Sequence, residues 1–412
     1  MLLMLAVFVP AYVFAGVFDI TITANPGDSS EQTYTQNFSA ITDVLDELDT
    51  DQIESNLSNY SDTSAAEGII NFRGIPIYLS IAQNSTTIVL SIPSIGVNET
   101  FTGVNRDKSV DMIEDWLKEN GEDAVTRLMK ELVAETPTDP IAGNPSSLET
   151  RMVNLDYDYA VNTDSVIEMN APAAAPGSIN ANMVSIFARY SNYDLDGVSS
   201  REYSLPLAYT IRFNNSKNTL AIRIPISMVD VDGSKAYNFG LGLGFSYFIK
   251  DQWSITPSIG YTAVGSVDLG SVAQLISSSL TSSYTWKINK YALTMGNMLG
   301  YYKTIPFTYG DYNIDPDIKN TVLRNGFNFE IPTDRVKKDT SVQLFVTDTR
   351  YYGSELYVDQ YNEVGASFGF AKATQKEKGD KIKNYMRKMR VGFTYMFAED
   401  VSGYSVNFGF SF

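Results

Sequence analysis

Few side chains in this 412-residue chain are of types that do chemistry, and their spacing narrows the chemistry further. Asp194-Leu-Asp196-Gly197 and Asp230-Val-Asp232-Gly233 each set carboxylates at every second position ahead of a glycine. That arrangement suits a loop around Ca²⁺, with Asp194, Asp196, Asp230 and Asp232 as candidate ligands. The full EF-hand spacing is not met: counted from Asn192, the bidentate Glu position holds Tyr203. Asp-Gly is also ordinary turn chemistry, so both readings stay open, and no other cofactor is implied. The chain has no His and no Cys. Every Ser-His, Cys-His and Asp-His catalytic arrangement is therefore excluded, together with the commonest transition-metal ligand. No Ser/Lys or carboxylate pair suited to catalysis stands out, and the expectation is a non-enzymatic protein.

The elements that position the remaining charges are strands. From residue 181 onward apolar residues alternate with small polar ones at a period of two, the mark of a sheet whose faces meet different surroundings. Tyr203, Leu205, Leu207, Tyr209, Ile211 and Phe213 form one such stripe. Tyr237 to Tyr247 forms another, against Asn238, Gly240, Gly242, Gly244 and Ser246. The pattern predicts twelve strands over 181–412, most near the 9–11 residues that a tilted membrane-spanning strand needs. In hydrocarbon no water satisfies a strand edge, so such a sheet must close into a barrel. Tight turns are expected at 214–218, 250–252 and 289–290, with longer loops at 194–201, 264–274, 302–320 and 349–360. The connections 332–341, 374–382 and 399–402 depart from that alternation.

On this parity Arg189, Arg212, Arg223, Lys287, Arg324, Lys388 and Arg390 face inward against Glu330 and Glu363, an excess of positive charge. One expectation is a basic lumen holding an acidic piece of the preceding chain, around Asp156, Asp158 and Asp164; the other is that these groups pair with each other in a water-filled lumen. The lysine-rich run from Lys372 to Arg390 reads as a solvated charged edge.

Charge divides the chain. Residues 16–180 carry 27 acidic and 7 basic side chains, and 181–412 carry 21 and 24, which predicts two domains. The acidic one is a poor partner for nucleic acid. Met1 to Ala15 is apolar and ends Val13-Phe14-Ala15, as a secretory signal cleaved after Ala15 would. Residues 16–145 read as a soluble α+β domain. Its expected features are a helical stripe from Phe38 to Ile53, one hairpin formed by 68–81 and 86–97, a helix over 107–120 ended by Gly121, and another helix from Val125. Residues 135–145 and 171–177 are Pro-rich breaks, and 146–180 is a linker.

The last strand is the sharpest motif. Tyr404, Val406, Phe408, Phe410 and Phe412 share one face and the chain ends on an aromatic. This resembles the terminal strand of Gram-negative outer-membrane β-barrels. The whole plan, an exported domain, a linker and an all-β transmembrane antiparallel barrel of about twelve strands, resembles the solitary autotransporter-type barrel. The resemblance implies that 146–180 lies inside the lumen. It also implies outer-membrane lipid, lipopolysaccharide and the barrel-assembly machinery as partners, with the C-terminal strand directing insertion. Two functions follow as expectations: anchoring or translocating the acidic domain, or a porin-like channel for small hydrophilic solutes with that domain as periplasmic cap or plug.

Overall fold

In a computed structural model, residues 17–48, 50–170, 180–213, 216–309, 312–333, 340–370 and 389–411 are described. The signal segment, Lys388 and Phe412 lie outside them, as do the side chains of Asp164 and Phe410. The chain forms two compact units that divide between Ile113 and Glu114.

The first unit is a six-stranded antiparallel sheet, order β2-β1-β3-β4-β5-β6. Its strands are β1 (Phe18–Ala24), β2 (Gln32–Phe38), β3 (Ala66–Phe72), β4 (Ile75–Ile81), β5 (Thr87–Ile92) and β6 (Val97–Thr102). Phe18, Ile20, Ile22, Ile70, Leu90 and Phe101 are buried on one face. The other carries cross-strand hydroxyl pairs, Thr21 with Thr35 at 3.1 Å and Thr87 with Thr102 at 2.9 Å. Three sequence expectations are corrected. Residues 68–81 are themselves a hairpin, turning at Arg73-Gly74, where φ is 57° and 103°. The stripe from Phe38 to Ile53 is the end of β2 followed by two short helices, α1 (Ile41–Glu47) and α2 (Thr50–Asn56). Gly121 ends nothing: α3 runs unbroken over Arg106–Glu135. A lone glycine costs a helix only about 1 kcal/mol relative to alanine.

The second unit begins within α3 and so takes in residues 114–145, which the sequence reading assigned to the first domain. After α4 (Leu148–Asn170) come β7 (Asn180–Leu195), β8 (Val198–Ser204), β9 (Leu207–Phe213), β10 (Thr219–Ile224) and β11 (Ile226–Val231). Then follow β12 (Ser234–Lys250), β13 (Trp253–Ser266), β14 (Ser271–Ile288) and β15 (Tyr291–Ile305). The short β16 (Phe307–Tyr309) and β17 (Tyr312–Ile314) precede β18 (Lys319–Pro332), β19 (Thr340–Gly353), β20 (Gln360–Phe370), β21 (Met389–Phe397) and β22 (Val401–Ser411). β8 and β9 are halves of one strand parted at Pro206, and β10 and β11 halves of another parted at Pro225. Proline lacks an N–H and removes one ladder bond. Both proline carbonyls still accept, from Phe187 N and Gly240 N at 3.0 and 3.1 Å. Counted so, twelve antiparallel strands close into a barrel when β22 pairs with β7, Val406 opposite Tyr190.

The wall faces hydrocarbon. Along β12, Tyr237, Phe239, Leu241 and Leu243 are 58, 56, 47 and 39 % exposed while Asn238, Gly240, Gly242 and Gly244 are buried. Tyr237 and Tyr247 stand ten residues apart, about 34 Å along a strand and about 25 Å across a bilayer at the usual tilt. Tyr404, Val406 and Phe408 of β22 point out in the same way. No described helix is long and apolar enough to cross a membrane.

Loop lengths differ from expectation. The 194–201 loop is a two-residue turn at Asp196-Gly197 with φ of 52° and 84°, and Asp232-Gly233 repeats it. Positive φ at both centres matches strand twist, so β7, β8, β11 and β12 run on past the apolar band. The β16–β17 hairpin occupies part of the expected 302–320 loop. The end where β7 begins and β22 finishes is called proximal below, and the opposite end distal.

Candidate functional site: the lumen and its resident helix

Helix α4 lies within the lumen against β12, β13, β14 and β15. Glycines on the inner parity make room for it. A Cβ at Gly296 or Gly326 would stand 2.6 or 2.7 Å from the Tyr157 hydroxyl, and one at Gly244 would meet the Tyr159 ring at 3.1 Å. Glycine is needed here for close approach rather than for backbone freedom.

Two arginines of the wall hold the helix. Arg223 meets Asp156 at 2.6 Å with both side chains sealed from solvent. Its other amino group donates to the Leu155 carbonyl at 3.1 Å, and its guanidinium stacks 5.4 Å over Tyr159. Tyr302 donates to Asp156 at 3.0 Å. Arg324 pairs with Glu363 at 2.6 Å and stacks 4.9 Å over Tyr157. It also donates to Thr349 at 2.7 Å and to Tyr361 at 3.2 Å, and Tyr361 in turn donates to Asn154 at 2.9 Å. Nearer the distal mouth, Asn320 donates to the buried Glu149 at 3.0 Å, and the Thr150 and Tyr351 hydroxyls pair at 3.1 Å. Removing one member of a buried ion pair strands its partner and costs about 3–5 kcal/mol. The helix is thus fixed from Glu149 to Tyr159.

The distal mouth is closed by the irregular segment 136–147. It is buried apart from a half-buried Pro137. Asp139 accepts from Ile141 N at 2.8 Å, and Asn144 accepts from Ser146 N at 3.0 Å. The 354–359 connection donates into this region, Val358 N to Gly143 O and Tyr357 N to Val133 O, both at 3.0 Å. Ser146 reaches Ser200 of β8 at 2.9 Å. Towards the proximal end, Tyr159 pairs with Thr219 at 3.2 Å, beside the 214–218 connection. The chain therefore enters the lumen at the distal mouth, runs through it as α4, and starts β7 at the proximal end.

Of the inward charges named from sequence, Arg189 lies 3.4 Å from Asp158 and donates to Asn407 at 2.7 Å. Arg390 donates to Ser367 and Ser341 at 2.9 and 2.7 Å, with Glu330 3.8 Å away. Arg212 turns to the Ser216 carbonyl at 3.1 Å, in the proximal connection, and Lys287 is exposed near the proximal end of β14. The four aspartates of the acidic motifs serve turns: Asp194 accepts from Gly197 N at 2.7 Å and Asp230 from Gly233 N at 3.1 Å. Asp232 is the first central residue of its own turn, and Asp196 accepts from Tyr357 at 3.1 Å. Burial and that bond push the Tyr357 hydroxyl up to about 12. Among the described residues no three acidic groups converge on one point.

Sequence reasoning missed Tyr157, Tyr302, Tyr351, Tyr361, Asn154, Asn320 and Glu149. A signal existed for three of them: Tyr302, Tyr351 and Tyr361 are large aromatics on the inward parity, where glycine, serine and threonine predominate. Beside α4 a cavity of 330 Å³ remains, bordered among others by Phe187, Arg189, Glu202, Phe345 and Arg390.

No protein-family model matches the chain, and no curated protein does. Among solved structures it is similar to the translocator domain of the autotransporter NalP from Neisseria meningitidis, at 10% identity over 64% of this chain and 96% of that one, TM-score 0.43. It is also similar to the β domain of the Bordetella autotransporter BrkA, at 12% identity over 57% and 99%, TM-score 0.40. A third is the KdgM porin in complex with disordered oligogalacturonate, at 13% identity over 55% and 99%, TM-score 0.34.

Proposed function

We propose that this protein is a non-enzymatic outer-membrane barrel of autotransporter type that anchors its acidic N-terminal domain outside the cell, having passed it through the lumen. The observation that carries the reading is the direction of the thread. Residues 136–170 pass from the distal mouth to the proximal end, where the barrel's first strand starts and its last one stops. In an outer-membrane barrel with an even number of strands, both strand termini face the periplasm. The distal mouth then faces outward, and the chain before residue 136 leaves on that side. Lipid, lipopolysaccharide and the barrel-assembly machinery are the partners such a barrel needs.

The competing role, a channel for small solutes with a periplasmic cap, requires the lumen to open. Opening would strand Asp156 and Arg223, and the buried mouth segment would have to leave. Protease added to intact cells is expected to remove residues before the barrel while 181–412 stays protected. Protection of the acidic domain until the outer membrane is permeabilised would reverse the reading. In planar bilayers the full chain is expected to be nearly silent, and Arg223→Glu to raise single-channel conductance.

A further inference from the structure

The outer wall is not uniformly apolar. Ser282 of β14, Asn297 of β15, Asn325 of β18, Asp348 of β19 and Asn362 of β20 lie opposite one another in successive strand pairs. All point outward, on the parity of Leu299, Phe327, Leu344 and Val364. They form one polar seam that climbs across five strands. Its centre lies at membrane depth: Asn297 is six residues from Tyr291 and four from Tyr301, and Asn325 stands between Leu323 and Phe327. Asn297 donates to Asn325 at 2.7 Å. That bond leaves the Asn297 carbonyl oxygen and the Asn325 amide without a partner among the described residues. Further up the seam Asp348 takes Arg350 at 2.9 Å and Gln360 at 3.0 Å. The opposite walls differ: between the aromatic ends of β12, β13, β21 and β22 the outward side chains are apolar, as with Leu243, Ile259, Phe393 and Val406.

Hydrocarbon offers these amides nothing, and a polar group left unsatisfied there is strongly disfavoured. We infer that the β14–β20 wall is an interface within the membrane and that its occupant is a second copy of this chain. The seam's composition selects that occupant. A two-fold interface sets a patch against itself. This patch carries one carboxylate, one guanidinium and amides with both a free donor and a free acceptor, so it complements itself. The inference rests on the barrel alone and stands whichever way the N-terminal domain faces.

The absence of cysteine makes the test direct. Asn325→Cys in the full chain, folded and heat-modifiable, is expected to form disulfide-linked dimers on mild oxidation in native membranes. Leu243→Cys, on the far wall, should not. By light scattering in detergent, wild type should have the mass of two chains and Asn297→Leu with Asn325→Leu the mass of one. A wild-type mass of one chain, or equal cross-linking at both positions, would overturn the proposal. So would cross-linking of Asn325→Cys to a protein of another size, which would assign the seam to a different partner.

Discussion

The chain contains two antiparallel sheets built on the same alternation and turned opposite ways. In the N-terminal sheet Ile20 and Phe101 point into a core while Thr35, Thr100 and Thr102 meet solvent. In the barrel Leu241 and Phe393 point out, while Gly244, Ser258 and Thr394 line an interior that a helix shares. Period two thus specifies a strand without specifying which face is the core. The second decision lies in the polar face. Threonines pair across an exposed sheet, whereas glycine and serine leave room inside a cylinder.

The largest test of that contrast strikes the barrel interior. Arg223→Leu leaves Asp156 buried without its cation and is expected to cost about 3–5 kcal/mol in denaturant unfolding in detergent micelles. Asp156→Leu with Arg223→Leu should recover most of the loss; if the double variant is as weak as the single, the pair is not what holds α4. Next, Leu241→Arg on the lipid side should cost about 2–4 kcal/mol, but Thr100→Arg on the exposed sheet face only about 0.5 kcal/mol or less. Equal costs would mean that the two sheets share a solvent. The smallest effect distinguishes helix-packed glycines from others. Gly296→Ala crowds the Tyr157 hydroxyl and should cost about 1–3 kcal/mol, whereas Gly265→Ala, with open space around its Cβ, should leave the midpoint unchanged.

The twelve strands and their inward and outward faces were legible because each strand repeats one choice five or six times, as Tyr237 to Tyr247 does. The terminal motif was legible for the same reason. Helix α4 was not. Its own residues Asp156, Tyr157, Asp158 and Tyr159 engage Arg223, Arg324 and Arg189 on different strands, so it has no greasy stripe to read. A helix enclosed by a polar wall loses the amphipathic signature that marks helices on an apolar core. The tight distal turns were misjudged for a related reason. Asp194-Leu-Asp196-Gly197 looks like loop composition, yet the strands beside it continue above the membrane, where water rather than lipid sets the side-chain choice.

The lumen helix belongs to the same polypeptide as the cylinder around it, so the molecule is a loop drawn through its own ring. Once β22 zips to β7, no sideways escape is left. What stands upstream of Leu148 can be separated from the wall only by cutting the chain or by hauling it lengthwise. Assembly therefore has an order: the thread must already be in the bore when the last seam shuts, or the whole upstream stretch must later be fed through unfolded.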